Sequence, residues 1–228
     1  YIVKHTNEFS GEDYKKNFLD DVEKNEKALA YALDIRKFEI DLYWKRASYF
    51  WTFIAATFAG FITLQASSSV NKTDLSVILC CLGIIFSTGW LCVNRGSKHW
   101  QENWENHVDM LEDSTIGPLY KVVLTRPMPK GFQEHCEHLL TGPTSFSVSK
   151  INQLISLFVT ILWVTLLFKS LPDIRFTSPF NPFYFTLVCI TGMFCLLFFW
   201  RGKTYGKDYV HIAKIRSAQI KLKITQDD

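Results

Sequence analysis

Apolar and polar positions segregate along this chain into long blocks. Four stretches, Ala47–Ala66, Leu75–Val93, Ile151–Phe168 and Phe183–Trp200, contain no Asp or Glu, and Lys169 follows directly on the third. A membrane-spanning helix needs about 20 mostly apolar residues. Charge-free blocks of that length, four times over, predict an all-α polytopic membrane protein with four transmembrane helices. The alternative weighed against this is four buried helices of a soluble α-protein, which rarely lack charge over a full bilayer length.

The connectors carry helical signals of their own. From Glu12 to Ala59 there is neither Gly nor Pro, which predicts helix running from the polar N-terminal segment into the first span. Leu29, Leu33, Ile40 and Trp44 recur at helical spacing, and Lys37–Asp41 and Asp41–Lys45 are i,i+4 pairs of opposite charge. Ile35, Phe38 and Leu42 lie off that stripe, so this helix needs partners on several sides, from its own chain or a neighbour. A single amphipathic helix lying on the membrane is the alternative. After the second span, Trp100, Trp104, His107, Val108 and Leu111 form one helical face, and Glu102, Glu105, Asp109 and Glu112 an acidic one. This helix is expected to end at Ile116-Gly117-Pro118. Residues 117–149 are rich in Gly and Pro and read as short helical pieces and loops. Thr144–Ser149 can cap the third span. Asn152, Gln153, Ser156 and Thr160 give the start of that span a polar side. A basic tail, helical through Val210, Ile212 and Ile215, follows Trp200-Arg201-Gly202-Lys203. The resulting segments are 1–46, 47–94 (first hairpin), 95–150, 151–200 (second hairpin) and 201–228.

Composition adds little: 21% charged and 48% hydrophobic residues would suit a soluble domain. The distribution of charge says more. Residues 1–46 hold nine Lys and Arg, residues 95–150 six and residues 201–228 seven; Lys72, Lys169 and Arg175 are the remaining three. With an even number of spans, this bias predicts both termini and the central segment in the cytoplasm, and short outer loops. Five of the six cysteines, Cys80, Cys81, Cys92, Cys189 and Cys195, lie in spans, and Cys136 lies in the central segment, so no structural disulfide is implied. A net charge of +3 does not argue for nucleic-acid binding.

No nucleotide-binding glycine loop, metalloprotease pair or serine elbow is present, and no cofactor is expected. His135-Cys136-Glu137-His138 suggests zinc through His135, Cys136 and His138. It lacks a second ligand pair at finger spacing, and an ordinary short helix is the plainer reading. Arg95 with His99 or His107 could do general acid–base work as in a ribonuclease, although Arg95 also suits the end of a span. The spans hold no ionisable relay and no evident inverted repeat, which argues against coupled transport. A passive pore, a membrane-disrupting effector or a scaffold remains. Glu102, Glu105, Asp109 and Glu112 could form a cation-attracting ring in an oligomer, or simply be solvated. Gln65, Asn152, Gln153 and Ser156 are candidate pore-lining groups, with helix–helix contact as the alternative.

Four strings, Ala32–Phe53, Asn94–His107, Gly117–Lys121 and Ser147–Asn152, resemble the RipA family of bacterial octameric membrane proteins. They are also similar to the membrane accessory proteins of type VI-B CRISPR systems. That resemblance implies a homo-oligomeric ring, an octamer, in the bacterial inner membrane. It further implies pore formation and depolarisation during phage attack, with a cytoplasmic defence protein or nuclease as partner. The type VI-B proteins are described as carrying a degenerate HEPN ribonuclease motif. Arg95 and His99, with three residues between them, fall one short of the usual spacing. Other members of the family are linked to intracellular growth. The fourth span and the long N-terminal segment look like departures from the shortest members.

Overall fold

The structure is a computed structural model and describes residues 9–127, 129–172 and 181–204. Its elements in order are α1 (Gly11–Tyr14), a π-turn (Lys15–Leu19), α2 (Val22–Ala66), α3 (Lys72–Leu111), α4 (Phe132–Thr141), α5 (Val148–Ser170) and α6 (Pro182–Arg201). No strand occurs among the described residues. Helices α2, α3, α5 and α6 are each long and apolar enough to cross a membrane. The chain is therefore all-helical with four candidate spans, as the apolar blocks predict.

Two of these helices extend far beyond a bilayer. The 45 residues of α2 make a rod about 68 Å long at 1.5 Å per residue, against a hydrocarbon core of about 30 Å. The 40 residues of α3 behave alike. The segment limits at 46/47 and 94/95 thus fall inside unbroken helices, where the side chains change character and the backbone does not. Each long helix has an apolar half and a charged half. The charged halves lie side by side, the N-terminal part of α2 against the C-terminal part of α3.

The expected helix from Glu12 is interrupted once. Asp21 takes an extended backbone and its carboxylate accepts from Lys24 N at 3.1 Å, so it starts a new helix instead of continuing the old one. Short acidic side chains compete with helix interior in this way. Upstream, Ser10 and Asp13 form a reciprocal capping box at the start of α1. The helix expected to reach Ile116 stops at Leu111, and turns carry the chain to Gly117, whose φ of +74° suits a residue without a side chain. Ser147 caps α5, its hydroxyl accepting from Lys150 N at 3.3 Å. The expected helical tail beyond Thr204 lies outside the described residues.

Helix α3 is the centre of the bundle and packs on α2, α5 and α6. One core, formed by Val77, Cys80, Cys81, Ile84, Trp163 and Leu167, sits in the apolar half. Its keystone is Trp163, fully buried, stacked on Phe58 with ring centroids 4.2 Å apart and set edge-on to Phe61. Gly83 faces the indole so closely that a Cβ there would lie 2.2 Å from it. Small residues that let helices approach are the usual device in lipid, where apolar burial alone drives no association. A second core, Tyr14, Leu29, Ala32, Val108 and Leu111, closes the charged end.

Candidate functional site

The expected polar and ionisable candidates fall into five places. The first is a seam between α2, α3 and α5, where the apolar and charged halves meet. Asn152 donates from Nδ2 to the Tyr43 hydroxyl at 2.7 Å, and Asn94 donates to the Asn152 carbonyl at 3.4 Å; all three residues are buried. Ser156, also fully buried, donates to the Gln153 carbonyl at 2.9 Å. Asn152 and Ser156 thus face the interior of the subunit, and Asn152 joins its helices. Gln153 is half-buried beside them and faces Arg95, Lys98 and Lys150.

The second place is the acidic face of α3. Glu105 pairs with Arg36 of α2 at 3.6 Å and with Lys98 at 3.3 Å; Lys98 also reaches Glu102 at 3.5 Å. Arg36 lies over the Tyr120 ring at 4.8 Å. Glu112 is fully buried and accepts from the backbone N–H groups of Tyr120 at 2.6 Å and Lys121 at 3.1 Å. The four acids therefore do not form one solvated stripe. Glu112 anchors the loop after α3, Glu105 ties α3 to α2, Asp109 is half-buried, and Glu102 is the exposed member. Helical spacing placed them on one side, but the loop that folds back over Glu112 is not visible in a periodicity.

The third place concerns the candidate catalytic set. Arg95 and His99 line one hollow beside the end of α6. His107 is turned away from them: its Nδ1 is hydrogen-bonded to the Tyr14 hydroxyl at 2.9 Å and its ring stacks on Tyr14. Burial holds the His107 pKa below its ordinary value and raises that of Tyr14. The structure brings together two of the three residues. The fourth place is α4, which carries His135, Cys136 and His138. His135 Nδ1 bonds the Gly131 carbonyl at 2.9 Å. Among the described residues no three His, Cys, Asp or Glu come together as metal ligands.

The fifth place is the end of the first span. Gln65 donates to Ser76 Oγ at 2.9 Å, closing the α2–α3 hairpin. On the same helix lies a feature that the apolar pattern concealed. Ser48, Thr52, Ala55, Ala59 and Thr63 share one helical face, and every one is exposed. That face continues into the charged half of α2 through Lys45, Asp41, Lys37 and Asp34, all exposed as well. The result is an unbroken line of small or polar side chains down the outside of the subunit. Exposed aromatics flank it, Trp44 and Trp51 on one side and Phe38 and Tyr49 on the other. The Ser48 and Thr52 hydroxyls each donate to the carbonyl four residues back at 2.9 Å, which satisfies them within the helix. Small residues recurring every three to four positions were the legible signal.

These features define a polytopic all-α membrane protein whose polar groups are largely spent within the subunit, and whose first span presents a small, polar face outward. Residues 26–172 match the Octameric membrane protein family (8xMP), and the chain belongs to that family. Membership points to an oligomeric assembly of the chain with itself, as the family's description indicates. No curated protein and no solved structure matches the chain.

Proposed function

We propose that the chain is the subunit of a ring-shaped, passive membrane pore. Its charged end faces the bacterial cytoplasm and receives a signal there. Opening then lets ions leak and depolarises the inner membrane, in anti-phage defence or a related stress response. The carrying observation is the continuous exposed line on α2, from Asp34 through Ser48 and Thr52 to Thr63. Around a symmetry axis, that face would give a path lined by charge at one end and by hydroxyls and methyls across the bilayer. The aromatics on both flanks would then meet the neighbouring subunits. The spans without an ionisable relay support passive leakage over coupled transport, and the 22 to 3 bias of Lys and Arg supports the orientation. The defence setting follows from the resemblance to the CRISPR accessory proteins.

Cysteine modification tests this reading. In a background without native cysteines, Thr52→Cys or Ala59→Cys in the reconstituted oligomer should react with a charged thiol reagent added from the water, and reaction should block conductance. In infected cells that the protein protects, membrane potential should collapse. Protection with an unchanged potential, or conductance indifferent to modification at both positions, overturns the proposal.

A further inference from the structure

At the charged end, α3 and the last turn of α6 stand apart and leave a hollow of about 420 Å³, lined by Arg95, His99 and Lys203. A second hollow of about 580 Å³ has Phe50, Ile85 and Phe86 in its walls. The two share Cys92, Gly96, Phe198 and Gly202, so they form one groove. Ile85 lies ten residues before Arg95 on the same helix, about 15 Å deeper at 1.5 Å per residue. That is the depth of one leaflet of a core about 30 Å thick. The groove is therefore basic where the bilayer meets water and apolar through one leaflet below.

Its charge is one-sided. No Asp or Glu lines either part among the described residues. Arg46, at the edge of the apolar part, is already held by Glu39 at 3.6 Å and by Ser97 at 3.2 Å. Arg95 and Lys203 are both exposed on the basic part, and Trp200 draws Arg201 aside, its guanidinium 5.1 Å from the indole. Gly96 forms part of the wall common to both hollows, and nothing lies within 4 Å of where its Cβ would stand.

We infer that this groove is a binding site for an anionic phospholipid of the leaflet at the charged end. The phosphate would lie between Arg95, His99 and Lys203, and one acyl chain would run down past Phe198, Phe50 and Phe86. The charge-assisted contacts select the phosphate, and basic pockets between membrane helices are a recognised way to hold anionic head groups. A zwitterionic lipid would bring its own cation against Arg95 and Lys203. A soluble phosphate would leave the apolar half unused. The site stands apart from the face of α2 and does not depend on conduction.

Native mass spectrometry of the detergent-purified oligomer, equilibrated with phosphatidylglycerol or with phosphatidylcholine, tests the assignment. Wild-type protein should retain the anionic lipid well above the zwitterionic one, and this comparison needs no variant. The pair Arg95→Gln and Lys203→Gln, at exposed positions, should weaken retention of phosphatidylglycerol about tenfold or more. Gly96→Leu, which keeps every charge but fills the groove, should weaken it too. Equal retention of the two lipids by the wild type overturns the proposal. So does displacement of the lipid by millimolar glycerol phosphate alone, which would assign the basic hollow to a soluble anion.

Discussion

Gly83 and Gly96 occupy the same helix about three and a half turns apart and have opposite roles. A Cβ on Gly83 would collide with Trp163 at 2.2 Å, while one on Gly96 would meet nothing. Gly83→Leu should therefore lower stability by about 3 kcal/mol, the upper end of ordinary overpacking. Gly96→Ala should be neutral or gain up to about 1 kcal/mol from helix propensity. Thermal unfolding in detergent of both variants checks the contrast; equal effects would refute the packing account. Glu112 is a third case. Its buried carboxylate holds two backbone N–H groups of the following loop, so Glu112→Ala should cost about 1.5–3 kcal/mol, as for hydrogen bonds to a charged acceptor. Faster proteolysis between Leu119 and Arg126 would report it. The helical periodicity showed which acids share a side of α3. It did not show that Glu112 turns inward, because that depends on a loop of the same chain returning eight residues later.

Among elements, the short N-terminal piece formed by α1 and the π-turn rests on α3 through Tyr14 and His107. Burial lowers the His107 pKa, so the folded state favours the neutral ring, whereas an unfolded imidazole titrates near 6.5. The native state then binds fewer protons in the interval between the two values. The contribution is full above the unfolded pKa and is lost as pH falls through the lowered folded one. Acidification below about 6.5 should thus loosen α1, seen as faster amide exchange at Tyr14–Leu19, and His107→Gln should remove that pH dependence. Tyr14→Phe should cost about 0.5–1.5 kcal/mol for the lost hydrogen bond. The run without Gly or Pro makes α2 legible in the sequence itself. The break at Asp20–Asp21 is not legible there, because a capping carboxylate competes with helix only where the next turn is already committed.

For the whole molecule, the proposed ring is the scale at which the first span would act. Ala59→Trp on the outward face of α2 should leave the oligomer's mass unchanged in detergent and cut its conductance; loss of assembly with the same substitution would instead make that face a subunit contact. The apolar blocks, their lack of acids and the lopsided basic flanks determined by themselves that this is a four-span helical membrane protein, since lipid tolerates neither stray charge nor unpaired backbone. Only the tertiary structure decided which polar groups point where. Asn152 and Ser156 were candidates for a pore as well as for helix contacts; both are buried in the subunit, and Asn152 is met there by Tyr43 and Asn94. Ser48, Thr52 and Ala59 were ordinary members of an apolar block, and they matter because α3 covers the other side of α2 and leaves theirs exposed. Spacing along one helix defines faces, but which face is covered depends on the helices packed against it, and those come from distant parts of the chain.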